Sequence, residues 1–325
     1  MSHDYHPAIA AFLDGLRAAN REQTAITYAH YYRRFEGWLR EQRVDVLRVS
    51  RDHLVQYQVW IAAYRSPTGQ PLALTTQGTV VAALKTLYRW LTAQGLIISN
   101  PALKIVPPKP PQRLVVQKDH LSLQEAIALI QSLVTTVDTI DDGVHAKALA
   151  IRDLALIALG FASGRRSHGL VSLRLEDVDL DRNELRVAIE KGRTGRVLPV
   201  AAWAIGAVRR YLTQARPIID RGRNSAWLFV GMHGEQMSQK SYQYALEQAM
   251  AATIRRNPDL VDLPHKRITT HSLRVTFATV MFSNGCGIRS LNELMLHDCL
   301  STTAKYTPIP LEDLRGVLRM AHPRA

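Results

Sequence analysis

Cysteine is scarce. Only Cys286 and Cys299 occur in 325 residues, and neither sits in a Cys-x-x-Cys or Cys/His arrangement, which argues against a disulfide framework or a zinc site. The start, Met1-Ser2-His3-Asp4-Tyr5-His6, lacks the basic-then-apolar pattern of a secretory signal. The most apolar stretch, residues 148–162, is cut by Arg152 and Asp153, so no segment reads as a membrane span. Internal repeats, low-complexity tails, a Walker phosphate loop and a clustered set of metal ligands are also missing, so neither ATP nor a metal cofactor is expected. The chain reads as an intracellular, cytoplasmic protein of the reducing compartment.

What is present is basic and apolar enough to fold. A hydrophobic content of 46% supports two domains, each with its own core. The formal net charge is +13, of which +5 falls in residues 1–108 and +8 beyond, so both halves attract a polyanion.

Pro107-Pro108-Lys109-Pro110-Pro111 marks the clearest boundary, because four prolines in five positions remove backbone donors and hold the chain extended. The spacing predicts a helical domain over 1–106, a linker over 107–117 and a second domain over 118–325. Before the linker, helical periodicity covers 7–19, 24–42, 51–64 and 74–94, with Gly95 as a stop. In the last of these, Ala83, Leu84, Leu87, Tyr88 and Leu91 form an apolar stripe while Lys85 and Arg89 share another face. After the linker, Ser122-Leu123-Gln124-Glu125 reads as a capping box, and a second helix over 146–162 follows. Residues 177–180, 184–190 and 196–200 then alternate as strands, with Lys191-Gly192-Arg193-Thr194-Gly195 as a turn. Helical patterns return at 202–216, 238–256, 272–284 and 288–296.

Six residues in the second domain make a chemical set: Arg166, Lys191, His271, Arg274, His297 and Tyr306. Breaking a phosphodiester builds negative charge on its equatorial oxygens, so cations must be in place beforehand, and arginine offers a permanent charge with a planar two-donor fork. His271 and Arg274 lie three apart and share one helix face. Arg165 and Arg166 compete for the role of the first cation, and Lys191 lies at a turn from which an ammonium can be delivered.

Two runs, residues 270–279 (THSLRVTFAT) and 294–306 (LMLHDCLSTTAKY), resemble the signature boxes of the tyrosine recombinase (phage integrase) family. The resemblance extends to Thr27-Tyr28, to Phe35-Glu36-Gly37-Trp38-Leu39, to Leu87-Tyr88-Arg89-Trp90-Leu91 and to Asn100-Pro101 before the proline linker. It covers the chain from about Thr24 to the tail. Matching Gly164, Leu170 and Leu173 to the family pattern Gly-x-Arg-x-x-Glu-Leu-x-x-Leu gives Arg166 the catalytic place and leaves Arg165 where the family has an apolar residue. The resemblance implies that Arg166 and Arg274 clamp the scissile phosphate and that Lys191 protonates the leaving 5′ oxygen. It gives His271 a hydrogen-bonding or general-base role, places His297 nine residues before the nucleophile, and makes Tyr306 that nucleophile. Lys85, Arg89, Thr75, Arg165 and Arg196 are expected DNA contacts.

Three positions depart from the family pattern. Gly169 stands where the family has Glu or Asp, Leu296 replaces a glycine before His297, and Val275 replaces a histidine after Arg274. An acid elsewhere, Glu176 or Asp177, is the expected compensation for Gly169.

The resemblance implies a mainly α fold with a small antiparallel β-sheet in the catalytic domain, two domains closing as a C-shaped clamp on duplex DNA. It implies strand exchange through a 3′-phosphotyrosyl link and a Holliday junction, by a homotetramer on inverted-repeat sites, with a second recombinase or accessory protein as further partners. The segment 308–320 has apolar residues at helical spacing that suit docking on a neighbouring protomer or on its own domain. Two rivals stay open: a catalytically impaired DNA-binding protein of this fold, and a type IB topoisomerase or telomere resolvase.

Overall fold

The computed structural model describes residues 5–19, 21–66, 69–108, 119–189 and 193–296. The chain divides into two compact units, Met1–Leu114 and Val115–Ala325.

The first unit is helical. Its elements are α1 (Pro7–Ala18), α2 (Glu22–Gln42), a 3₁₀ turn at Val46–Arg48, α3 (Arg51–Ala63) and α4 (Leu74–Ala93). Proline opens α1, where its missing N–H costs nothing, and Ser50 caps α3 by accepting from the amide of His53. The expected stripe of α4, Ala83, Leu84, Leu87, Tyr88 and Leu91, is buried against Phe12, Phe35, Trp38 and Tyr57. Buried phenols find carbonyls: Tyr32 donates to Ala83 O at 2.9 Å and Tyr88 to Val46 O at 3.1 Å.

The second unit is built around a helix with no polar face over most of its length. α5 (Leu123–Thr139) starts at the expected capping box, with the Ser122 amide donating to Glu125 and the Glu125 amide donating to Ser122 Oγ. α6 (Val144–Ser163) buries Leu154 through Gly160 without interruption, as a helix enclosed by neighbours must. The two charges that interrupt its apolar run are satisfied inside: Arg152 pairs with Asp153 at 2.8 Å and also donates to Val230 O.

Next come α7 (Ser167–Val171), a 3₁₀ turn at Leu175–Asp177, and strands β1 (Val178–Asp179), β2 (Glu184–Ile189) and β3 (Arg193–Pro199). The sheet is antiparallel in the order β1-β2-β3, with Leu185 opposite Leu198 and Val187 opposite Arg196. Leu185, Val187 and Leu198 are buried, so one face of the hairpin covers the core. Two expectations are corrected. The first strand is short because Asp177 turns the chain by accepting from the Arg174 amide at 2.7 Å. The third begins at Arg193, not Arg196, because a register shift between Val187 and Ile189 lets pairing continue through Gly195.

The remaining helices are α8 (Ala202–Arg210), α9 (Arg216–Asp220), α10 (Gln239–Arg256), α11 (Thr270–Ser283) and α12 (Ile288–Leu294). A single helix was expected over 202–216. Instead a π turn, Tyr211–Ala215, separates α8 from α9, with the Arg216 amide reaching back to Tyr211 O. Pro217 is the cause: lacking an N–H, it cannot serve the carbonyl four residues earlier, and the ladder shifts to a wider turn. No helix among the described residues is long and apolar enough to cross a membrane.

Candidate active site

Two turns of the second unit carry the cations, and one buried guanidinium joins them. α6 stops at Gly164, which takes a left-handed φ of +58°. A β-carbon there would overlap the ring of Phe277, so the residue before the arginines has to be glycine for both space and conformation. Arg165 and Arg166 follow, with Arg166 extended just ahead of α7 and exposed. Ser167 Oγ donates to Gln239 Oε1 at 2.8 Å, which holds the start of α7 against the start of α10.

The second box begins α11. Thr269 and Ser272 form a reciprocal cap, so His271 and Arg274 fall in the first turns and share a face as their spacing predicts. The front of α11 is also tied to residues just after the linker: Thr276 Oγ accepts from the Leu121 amide at 3.0 Å, and Asp119 accepts from the Arg267 amide at 2.9 Å. Behind it, Lys266 reaches both carboxylate oxygens of Glu125, at 2.8 and 2.7 Å. Burial pushes the Glu125 carboxyl up, but hydrogen bonds from Lys266 and Ser122 and the Lys266 charge outweigh it and hold the group below its ordinary value.

Arg274 is 2% exposed. Its Nη1 donates to Gly164 O at 2.5 Å and its Nη2 to Met295 O at 2.7 Å. Through these two carbonyls one side chain connects the first box, the second box and the approach to the third. Leu296, next to Met295, adopts a φ of +52°, a left-handed conformation that favours glycine.

Arg165 lies beside Arg166, and its charge is disfavoured. Burial, then the charge of Arg166, lower its pKa to about 10, with Asp177 acting in the opposite direction. Glu176 or Asp177 was expected to compensate for Gly169. Both carboxylates face Arg174, Asp177 on its amide and Glu176 at 3.6 Å from its Nη1, and among the described residues Arg166 has no carboxylate partner.

The expected site residues therefore divide. Arg166, His271 and Arg274 stand on two turns linked by the Arg274 to Gly164 bond. Lys191, His297 and Tyr306 lie outside the described residues, as do Lys109 to Pro111 of the linker, Cys299 and the segment 308–320. Of the expected DNA contacts, Thr75 and Arg89 are exposed on α4, but Lys85 does not share that freedom: it is half-buried and donates to Ile105 O at 2.9 Å. Arg196 of β3 pairs with Glu293 of α12 at 2.8 Å. The carbonyls of Gly164 and Met295 were missed, since backbone acceptors carry no signature in sequence.

Known proteins are similar to this chain over most or all of its length. The model described as the phage integrase family matches residues 129–310, and that described as the phage integrase N-terminal SAM-like domain matches residues 9–95. Tyrosine recombinase XerC 2 of Ralstonia nicotianae is 33% identical over 292 residues, covering 90% of this chain and 78% of that protein. Tyrosine recombinase XerD of Yersinia pestis is 30% identical over 327 residues and covers both chains fully. Among solved structures, the XerH site-specific recombinase bound to its palindromic difH substrate has a TM-score of 0.67 at 19% identity, over 92% of this chain and 80% of that one. The Tn1549 transposon integrase in complex with transposon right end DNA gives 0.64 at 14% identity, over 96% and 98%. At these identities the structures speak for the fold alone.

Proposed function

The chain belongs to the phage integrase family and is a site-specific tyrosine recombinase, and on that premise we propose that it cleaves and rejoins duplex DNA through Tyr306. Arg274 carries this reading: a buried guanidinium bonded to Gly164 O ties the turn bearing Arg166 to the helix start bearing His271 and Arg274, which supports their acting together. In this reading Arg166 and Arg274 stabilise the added charge of the pentacoordinate phosphorane, a contribution of the kind worth about 10² to 10³ in rate per donor. Tyr306 Oη attacks phosphorus, the 5′ oxygen leaves, and a 3′-phosphotyrosyl link forms. Lys191 gives the leaving oxygen its proton, and His271 with His297 manages the phenol proton and the phosphate oxygens. The link keeps the phosphoester energy, so a 5′ hydroxyl from a partner strand can reverse the reaction without ATP or metal.

The substrate is duplex DNA with inverted-repeat sites, handled by four copies in a Holliday junction intermediate, at the bacterial nucleoid. The helical unit would form the N-terminal DNA-binding domain, with Arg89 and Thr75 toward the duplex. Full-length relatives are recombinases, which favours this reading over a topoisomerase or an inactive DNA-binding protein.

The test uses a suicide duplex nicked near the cleavage point, drawn from DNA flanking the gene. A covalent protein–DNA band with wild type and none with Tyr306→Phe is the expected result. Specific binding with no band from either protein would overturn the catalytic assignment, and site-independent relaxation of supercoiled DNA would point to a topoisomerase.

A further inference from the structure

We propose that Arg165 is a second guanidinium of the scissile-phosphate pocket, folded into the notch that Gly169 leaves open and acting on the same phosphate as Arg166. The proposal rests on the reading of Arg166 as a phosphate clamp.

The geometry of α7 supplies the first argument. A β-carbon placed on Gly169 would come within 2.7 Å of Arg165 Nη2 and 3.4 Å of its Cζ. The Arg165 fork therefore lies over the face of α7 from which a side chain at 169 would project, and such a side chain would require the fork to move. Relatives of the resembled pattern pair an apolar residue at the first position with an acid at the second. Here an arginine and a glycine stand in those places, which shifts the local charge in the positive direction.

The second argument is an unfilled hydrogen-bond donor. Arg165 Nε is buried with no hydrogen-bond partner. Its neighbour is another arginine, and Asp177, the carboxylate that acts on it from nearby, spends its Oδ2 on the Arg174 amide. A buried, unfilled guanidinium donor beside a like charge is costly until an anion arrives. The adjoining residue Gly164 accepts from Arg274, so three arginines gather at one turn, and the DNA phosphate is the anion that the proposed function brings to it.

Arg165 is thus placed to use the energy of a frustrated ground state at the moment when phosphate enters. Two linked arginines on one phosphate also bind its added negative charge more strongly as the phosphorane forms.

Full-length wild type, Arg165→Met, Arg165→Lys and Arg165→Leu/Gly169→Glu are compared on the nicked suicide duplex, with each variant's melting temperature checked. A matched duplex carries a neutral methylphosphonate at the scissile position. Arg165→Met is expected to form covalent product about 100-fold more slowly on ordinary DNA, in line with loss of one oxyanion donor, and to lie within about 3-fold of wild type on the methylphosphonate. Arg165→Lys should recover part of the rate, and the double variant, which rebuilds the apolar-plus-acid pair, should be faster than Arg165→Met. A folded Arg165→Met protein with wild-type rate, or an equal loss on both duplexes, would sink the proposal. A binding arm needs no cleavage: in the Tyr306→Phe background, Arg165→Met should weaken affinity for ordinary duplex and leave affinity for methylphosphonate duplex unchanged. Absence of the wild-type covalent band would count against the Tyr306 chemistry, whereas the binding arm reads Arg165 by itself.

Discussion

Arg274 Nη1 donates to Gly164 O at 2.5 Å, across 110 residues of sequence, and so makes the position of Arg274 depend on the turn that presents Arg166. The dependence runs both ways, since the Gly164 turn is also wedged by Phe277, less than one helical turn beyond Arg274 on α11.

Gly164→Ala tests that coupling. A methyl group here meets the Phe277 ring in a left-handed conformation, which costs about 1–2 kcal/mol for the backbone and about 1–3 kcal/mol for overpacking. A lower melting temperature and a cleavage rate reduced more than the residual folded fraction explains are the expected results. Unchanged cleavage would show that the turn tolerates displacement.

Thr276→Val removes the acceptor for the Leu121 amide in a fully buried setting while keeping the shape. An unfilled buried amide costs about 1–3 kcal/mol. Chemical denaturation should show that loss, and Thr276→Ser should restore most of it. Equal stability of Val and Thr variants would mean that the linker end is held by other contacts.

Lys266→Met should expose the pH dependence of the Glu125 pair. The folded-state pKa of Glu125 is lowered, so its contribution is present above the ordinary glutamate value of about 4.3 and is lost as pH falls through the lowered pKa. Wild type should hold its melting temperature from pH 7 to about 5 and fall on further acidification. The variant should be less stable at pH 7, with the gap narrowing in acid. A gap constant from pH 7 to 3 would remove the ion pair from the explanation.

Arg196 is paired with Glu293 on an exposed surface, where such bridges contribute about 0–1 kcal/mol. If it also meets a phosphate, Arg196→Ala should flatten the plot of log affinity against log salt by about 0.9, the slope for one phosphate contact. Glu293→Ala should steepen binding by releasing the cation. A slope unchanged by both substitutions would leave Arg196 as a tie between β3 and α12.

Much of the local structure was legible because it depends on near neighbours. Ser122 and Glu125 form the cap that their spacing announces, α6 and α11 begin within two residues of the expected places, and the β2–β3 hairpin pairs as the alternation requires. The failures have long-range or backbone causes. Pro217 turns an expected single helix into two through a π turn, and Lys85, which looks like a surface cation by periodicity, is drawn to Ile105 O by the segment that follows α4.

By itself the sequence determined the ordered boxes, the helical and strand periods, the family and the residue types able to clamp a phosphate, since these follow from identity and spacing along the chain. Tertiary structure alone decided that Arg274 is 2% exposed and bonded to Gly164 and Met295, that Leu296 takes a left-handed φ, and that the Arg165 fork lies where a side chain at 169 would project. Those outcomes depend on which carbonyls and empty volumes meet after packing, and backbone oxygens and voids have no letters in a sequence.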